Sequence, residues 1–190
     1  MKLTIFLTAI ALIPGYAQIA PMKPAPPAAS GAPMGGSIRT ESAPVSLQVL
    51  QAAEKEINNR IATTGGPSQA CNVLSPARGV YVSGLGAMFS AEVELTATPG
   101  GVGIFGPPPG PEQKARFRKD KLTNVPLLEK ALSDLATSIA ASPGLKLGEN
   151  EHVVVAARLN YRVWEDTTGL PGQIVAHVDR RGGAVKVEIQ

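Results

Sequence analysis

Between Val153 and Trp164 the chain alternates without a break. Val153, Val155, Ala157, Leu159, Tyr161 and Val163 fall on one side, and Val154, Ala156, Arg158, Asn160, Arg162 and Trp164 on the other. A period of two over such a length marks a half-buried strand, and its neighbours must repeat the same division. Gln173 to Asp179 does so. Pairing it antiparallel with Trp164 opposite Gln173 sets Val163 against Ile174, Tyr161 against Ala176 and Leu159 against Val178. On the polar side Arg158 then meets Asp179 and Asn160 meets His177. A slip of one residue would mix both faces. Arg181-Gly182 supplies a two-residue hairpin turn, after which Val178 faces Val185, Ala176 faces Val187 and Ile174 faces Ile189. Lys186 and Glu188 join the polar face. These segments predict a three-stranded antiparallel meander.

The preceding sequence supplies what can cover it. Ser46 is an N-cap candidate, and Leu47, Leu50, Ala53, Ile57 and Ile61 follow at helical spacing until Thr63-Thr64-Gly65-Gly66-Pro67. Val80-Tyr81-Val82 is a brief apolar piece interrupted by Gly84 and Gly86, which suggest a bulge or turn. From Ala87 alternation returns, with Ala87, Phe89, Ala91, Val93 and Leu95 inward and Met88, Ser90, Glu92 and Glu94 outward. A basic helical stretch from Pro111 carries Lys114, Arg116, Arg118, Lys119 and Lys121 on a solvated face, with Phe117 and Leu122 inside. A new helix is expected at Val125-Pro126, capped by Thr123 or Asn124. Its buried stripe is Leu128, Leu132, Leu135 and Ile139, with Ala131 and Ala136, and Ser142-Pro143-Gly144 ends it.

The expected fold is α+β: a two-layer sandwich with two main helices on one face of a mostly antiparallel sheet. That sheet comprises one long strand, at either edge, plus the C-terminal meander.

The N-terminus reads as an export signal over residues 1–17. Lys2 precedes the apolar run Leu3–Ile13, Pro14-Gly15 breaks it, and Gly15-Tyr16-Ala17 offers small residues to a peptidase. A membrane span needs roughly 17–25 apolar residues, so the run predicts release to the periplasm or beyond. Residues 18–45, rich in Ala and Pro, lack the apolar content to offset ordering entropy and read as a disordered tether. A single domain is expected over 46–190. Cys71 is the only cysteine and lies far from the cleavage site, so neither an internal disulfide nor a lipid anchor is predicted. No stable membrane anchor is expected.

The chain holds 18 basic and 15 acidic residues. Lys2, Lys23, Arg39 and Glu41 precede the domain, which keeps 15 basic and 14 acidic residues with interleaved signs. Such a balance argues against nucleic acid as a partner. Gly101-Val102-Gly103-Ile104-Phe105-Gly106 matches the dinucleotide fingerprint, but Pro107, Pro108 and Pro109 follow where a helix should open. No cofactor is implied. Two histidines and one cysteine suggest no multi-ligand metal site, and the pairs Glu149/Glu151 and Glu165/Asp166 lack calcium-loop spacing.

The candidate site is the loop after the only tryptophan, where Trp164, Glu165, Asp166, Thr167 and Thr168 combine an aromatic, two acids and two hydroxyls. It predicts a contact edge for another protein or an envelope component, in an exported, non-catalytic binding or structural module. Two alternatives are a small secreted hydrolase using His177 or Cys71, and attachment to an anionic surface through the Lys114–Lys121 stretch.

Overall fold

The computed structural model describes residues 45–66, 69–97, 109–179 and 186–190. The proposed signal, all of the tether before Val45, the glycine motif at 101–106 and the Arg181-Gly182 turn lie outside the described residues. Val45, expected to end the tether, is instead buried in the core.

The elements run α1 (Leu47–Thr63), β1 (Asn72–Val82), β2 (Gly86–Glu94), α2 (Pro111–Ala140), β3 (His152–Leu159), β4 (Gln173–Asp179) and β5 (Lys186–Ile189). They form one five-stranded mixed sheet in the order β1-β2-β3-β4-β5. Its single parallel junction is β2–β3; the others are antiparallel. Parallel neighbours need a crossover connection, and α2 provides it. The long strand beginning at Gly86 therefore sits inside the sheet, not at its edge.

Both helices pack on one face, α1 over β1 and α2 over β3 and β4, with the helices also touching each other. Leu50, Ala53, Ile57 and Ile61 of α1 and Leu128, Leu132, Leu135, Ala136 and Ile139 of α2 meet Phe89, Val93, Val153, Val155, Ile174 and Val178 in one core. Leu47, expected on the stripe, is 68% exposed because it opens the first turn beyond the sheet's cover. Ser46 caps α1, its Oγ accepting from Val49 N–H at 3.4 Å. Ser46→Ala should cost about 1 kcal/mol, read as a lower urea midpoint with an unchanged m-value.

Three corrections concern the outline of the elements. First, β1 is a full edge strand of 11 residues, joined to β2 by a tight turn in which Gly84 and Gly86 adopt positive φ. Its register shifts twice, between Val73 and Ser75 and between Ser75 and Arg78. Pro76 is tolerated there because an edge strand can leave a position unpaired. Second, α2 is one continuous helix with Pro126 inside it. Proline removes the bond to the carbonyl four residues earlier, here that of Leu122. Leu122, expected inside, is 43% exposed, so water can reach that stretch.

Third, β3 ends at Leu159. Arg158 faces Gln173 and His152 faces Asp179, a register six residues from that predicted with Trp164 opposite Gln173. An even slip keeps every side chain on its own face, so the apolar side stays apolar in both registers. The β4–β5 register follows expectation at Ile174/Ile189 and Ala176/Val187.

Candidate functional site

Because β3 stops early, residues 160–172 form a loop over the first half of α2. Its outer strand-like alternation is replaced by specific ties. Leu159 N–H donates to Gly172 O at 2.9 Å, Asn160 N–H to Val93 O at 2.9 Å, and Tyr161 Oη to Pro171 O at 2.6 Å.

Beneath the loop lies a buried charge network. Lys121, expected on the solvated face of α2, is 1% exposed. Its Nζ donates to both carboxylate oxygens of Glu165, at 2.8 and 2.6 Å, and lies 3.9 Å from Glu94 Oε1. Glu94, expected on the open sheet face, is also buried and faces Arg162 Nε at 3.5 Å. Lys121 Nζ further lies 5.3 Å from the centre of the Tyr161 ring. Burial, and then the Glu165 charge, push the Tyr161 hydroxyl up to about 12. Two cations and two carboxylates thus neutralise each other where α2, β2 and the loop meet.

The loop's other candidates are held by the same helix. Trp164 is half-buried with its ring 5.7 Å from that of Phe117. Arg118 contacts Asp166 at 3.1 Å and donates to Thr168 O at 2.8 Å. Thr168 also donates its N–H to Asp166 Oδ1 at 3.0 Å. Hydrogen bonds from Thr168, with the Arg118 charge adding, hold the Asp166 carboxyl below its usual range. Thr167, Thr168 and Gly169 remain exposed, and Val163 is exposed in full. The five candidate residues are consecutive in this loop, three of them turned to α2. Trp164 packs against Phe117, and Val163 is the outward apolar side chain.

Sequence reasoning missed Lys121 and Asn124, although a signal exists. Extending the Leu128 stripe backwards by four and seven residues lands on Asn124 and Lys121. Asn124 is buried in α2 instead of capping it, and its Nδ2 donates to Gln69 O and Leu95 O, both at 2.6 Å. It fastens the segments before β1 and after β2 to the helix.

Cys71 and His177 are not brought together. Cys71 is buried, its Sγ 3.5 Å from Leu95 O, beyond the Glu94 end of β2. His177 lies at the Gly86 end, beside His152, which pairs with Gly86. Eight residues of strand separate these ends, roughly 25 Å at about 3.3 Å per residue. His177 stands opposite Val154, not Asn160. Its polar neighbours are Asp179, 3.4 Å from Nε2, and His152, whose Nδ1 is 2.6 Å from the same Asp179 oxygen.

Burial pushes the Cys71 thiol up from 9.0 to about 11. At neutral pH it is protonated and poorly nucleophilic, so alkylation should be slow in the native protein and fast in urea. An acid with a raised folded-state pKa gives stability that is complete below its unfolded value. Stability should therefore fall as pH rises from about 9 through about 11, with Tyr161 extending the loss from 10.0 to about 12. Urea midpoints measured between those pH values check the direction.

Among the described residues no helix is long and apolar enough to cross a membrane. No protein-family model matches the chain, and no curated protein or solved structure matches it.

Proposed function

We propose that the chain is an exported, non-catalytic binding module that presents the loop around Trp164–Thr168 to another protein or an envelope component. The observation that carries this reading is the contrast between the two sides of the loop. Its inner side is immobilised on α2 through Glu165, Asp166 and Trp164. Its outer side exposes Val163, Thr167, Thr168 and Gly169. A contact surface held in place before binding loses less conformational entropy when a partner arrives. The surface offers the apolar Val163 side chain and the Thr167 hydroxyl, with the Thr168 side chain turned to Asp166, which suits a polar partner with a shallow apolar spot. Export remains part of the proposal on the strength of residues 1–17.

Val163→Asp and Thr167→Lys change only exposed positions and should leave the urea midpoint within about 0.5 kcal/mol of the parent. Retention of the full chain by the envelope fraction of the producing cell should weaken by about tenfold, or ~1.4 kcal/mol. Unchanged retention in both variants would remove the loop from the binding surface.

A further inference from the structure

We propose that His152, His177 and Asp179 form a binding site for a divalent transition-metal ion of the zinc type. The site lies on the open face of the sheet, at its β3–β4 junction, and is independent of the loop surface. The chain has two histidines in 190 residues, and the fold brings both to one point. The β3–β4 register sets His152 directly opposite Asp179, and the two-residue period places His177 on the same face. Their ring centres are 4.7 Å apart, and one donor atom from each of the three residues lies within 4.8 Å of the others.

Two imidazoles and a carboxylate are the ligand types that suit zinc and its neighbours. Ligand atoms about 2.0–2.1 Å from a tetrahedral ion stand roughly 3.3 Å apart. His177 Nε2 and Asp179 Oδ1 are 3.4 Å apart, close to that spacing. His152 Nδ1 and Asp179 Oδ1 are hydrogen-bonded at 2.6 Å and must part by roughly 0.7 Å to reach it. The side chains are 38%, 37% and 54% exposed, so an ion can enter from solvent and complete its coordination with water. Among the described residues Lys186, opposite His177, is an adverse charge, and Glu188 at 2.6 Å offsets it.

The backbone beneath the site is well fixed. His152 N–H donates to Leu85 O at 3.0 Å. Gly86, at a φ of +110°, lies so close to His152 that an added Cβ would stand 2.0 Å from its carbonyl oxygen. Glu151 accepts from Gly84 N–H and Tyr81 Oη, both at 2.8 Å, which ties the β1–β2 turn to the start of β3. A donor set on paired strands with such support is partly preorganised.

The test is titration of the untagged full chain with Zn²⁺ by calorimetry, with the histidine ring resonances followed by NMR. The expected result is saturable binding of one ion, shifts in both histidine rings, and affinity reduced by about tenfold or more in His177→Ala and Asp179→Asn. Asp179 is exposed and His177 half-buried on the open sheet face, so folding can be verified by an unchanged urea midpoint. No saturable binding would overturn the site. So would binding as strong in both variants as in the parent, or binding that leaves either histidine ring unshifted.

Discussion

Lys121→Ala should destabilise the protein by about 3–5 kcal/mol, because removing one member of a buried ion pair strands the other in a poorly solvated place. Glu165 and Glu94 would both lose the ammonium between them, with Arg162 left to offset only Glu94. The network also bears on the loop, since Glu165 is its deepest tie to α2. Urea denaturation should show the lower midpoint, and hydrogen exchange should show the largest gain across residues 164–170. Burying ions is itself costly, and well-packed apolar replacements are often neutral. Lys121→Met combined with Glu165→Leu should therefore recover most of the loss. A single Lys121→Ala variant of parental stability would mean that the network contributes nothing to holding the loop.

Asn124→Ala should cost about 1–3 kcal/mol for the buried Leu95 carbonyl left without the amide donor, with a smaller addition from the half-buried carbonyl of Gln69. The two carbonyls belong to Gln69 and Leu95, on the segments that precede β1 and follow β2 and lie side by side at the open end of that hairpin. There is little room to rearrange: a Cβ on Gly65 would lie 2.8 Å from either polar atom of the Asn124 side chain. Asn124→Asp should be nearly as damaging, because a carboxylate cannot donate to either carbonyl. Chemical denaturation of the two variants checks both values, and a cost below about 1 kcal/mol would show that water replaces the amide.

The contrast between these residues and the core explains what the sequence made legible. Leu128, Leu132, Leu135 and Ile139 are apolar, recur at helical spacing and are buried. Pattern and physics agree there. Lys121 and Asn124 continue the same stripe but are polar, and their burial is set by Glu165, Gln69 and Leu95, which are distant in sequence. Hydropathy periodicity has no means of registering such partners. β1 was obscure for another reason. Its Leu74, Val80 and Val82 face outward and are exposed, and Pro76 and two register shifts break the alternation. The β4–β5 pairing was readable because its short partner segment leaves little freedom of register.

At β3 the alternation continues to Trp164, but the ladders end with Leu159 N–H on Gly172 O and Asn160 N–H on Val93 O, the last rungs to β4 and β2. Parity alone could not separate two registers six residues apart. That same shift decided the candidate site. It moved His177 away from Asn160 and placed it with His152 and Asp179, and it converted the end of the predicted strand into the anchored loop. Trp164 was legible as a singular residue, yet its packing on Phe117 depends on a helix that begins more than forty residues earlier.

The most direct test of the proposed function is site-specific photo-crosslinking in the producing cell. A photo-reactive residue would replace either Thr167, at the loop tip, or Lys55, an exposed position on α1. The loop surface predicts a discrete adduct from position 167 that is absent from position 55 and lost when Val163→Asp is added. Adducts of equal yield from both positions, or none from position 167, would contradict it.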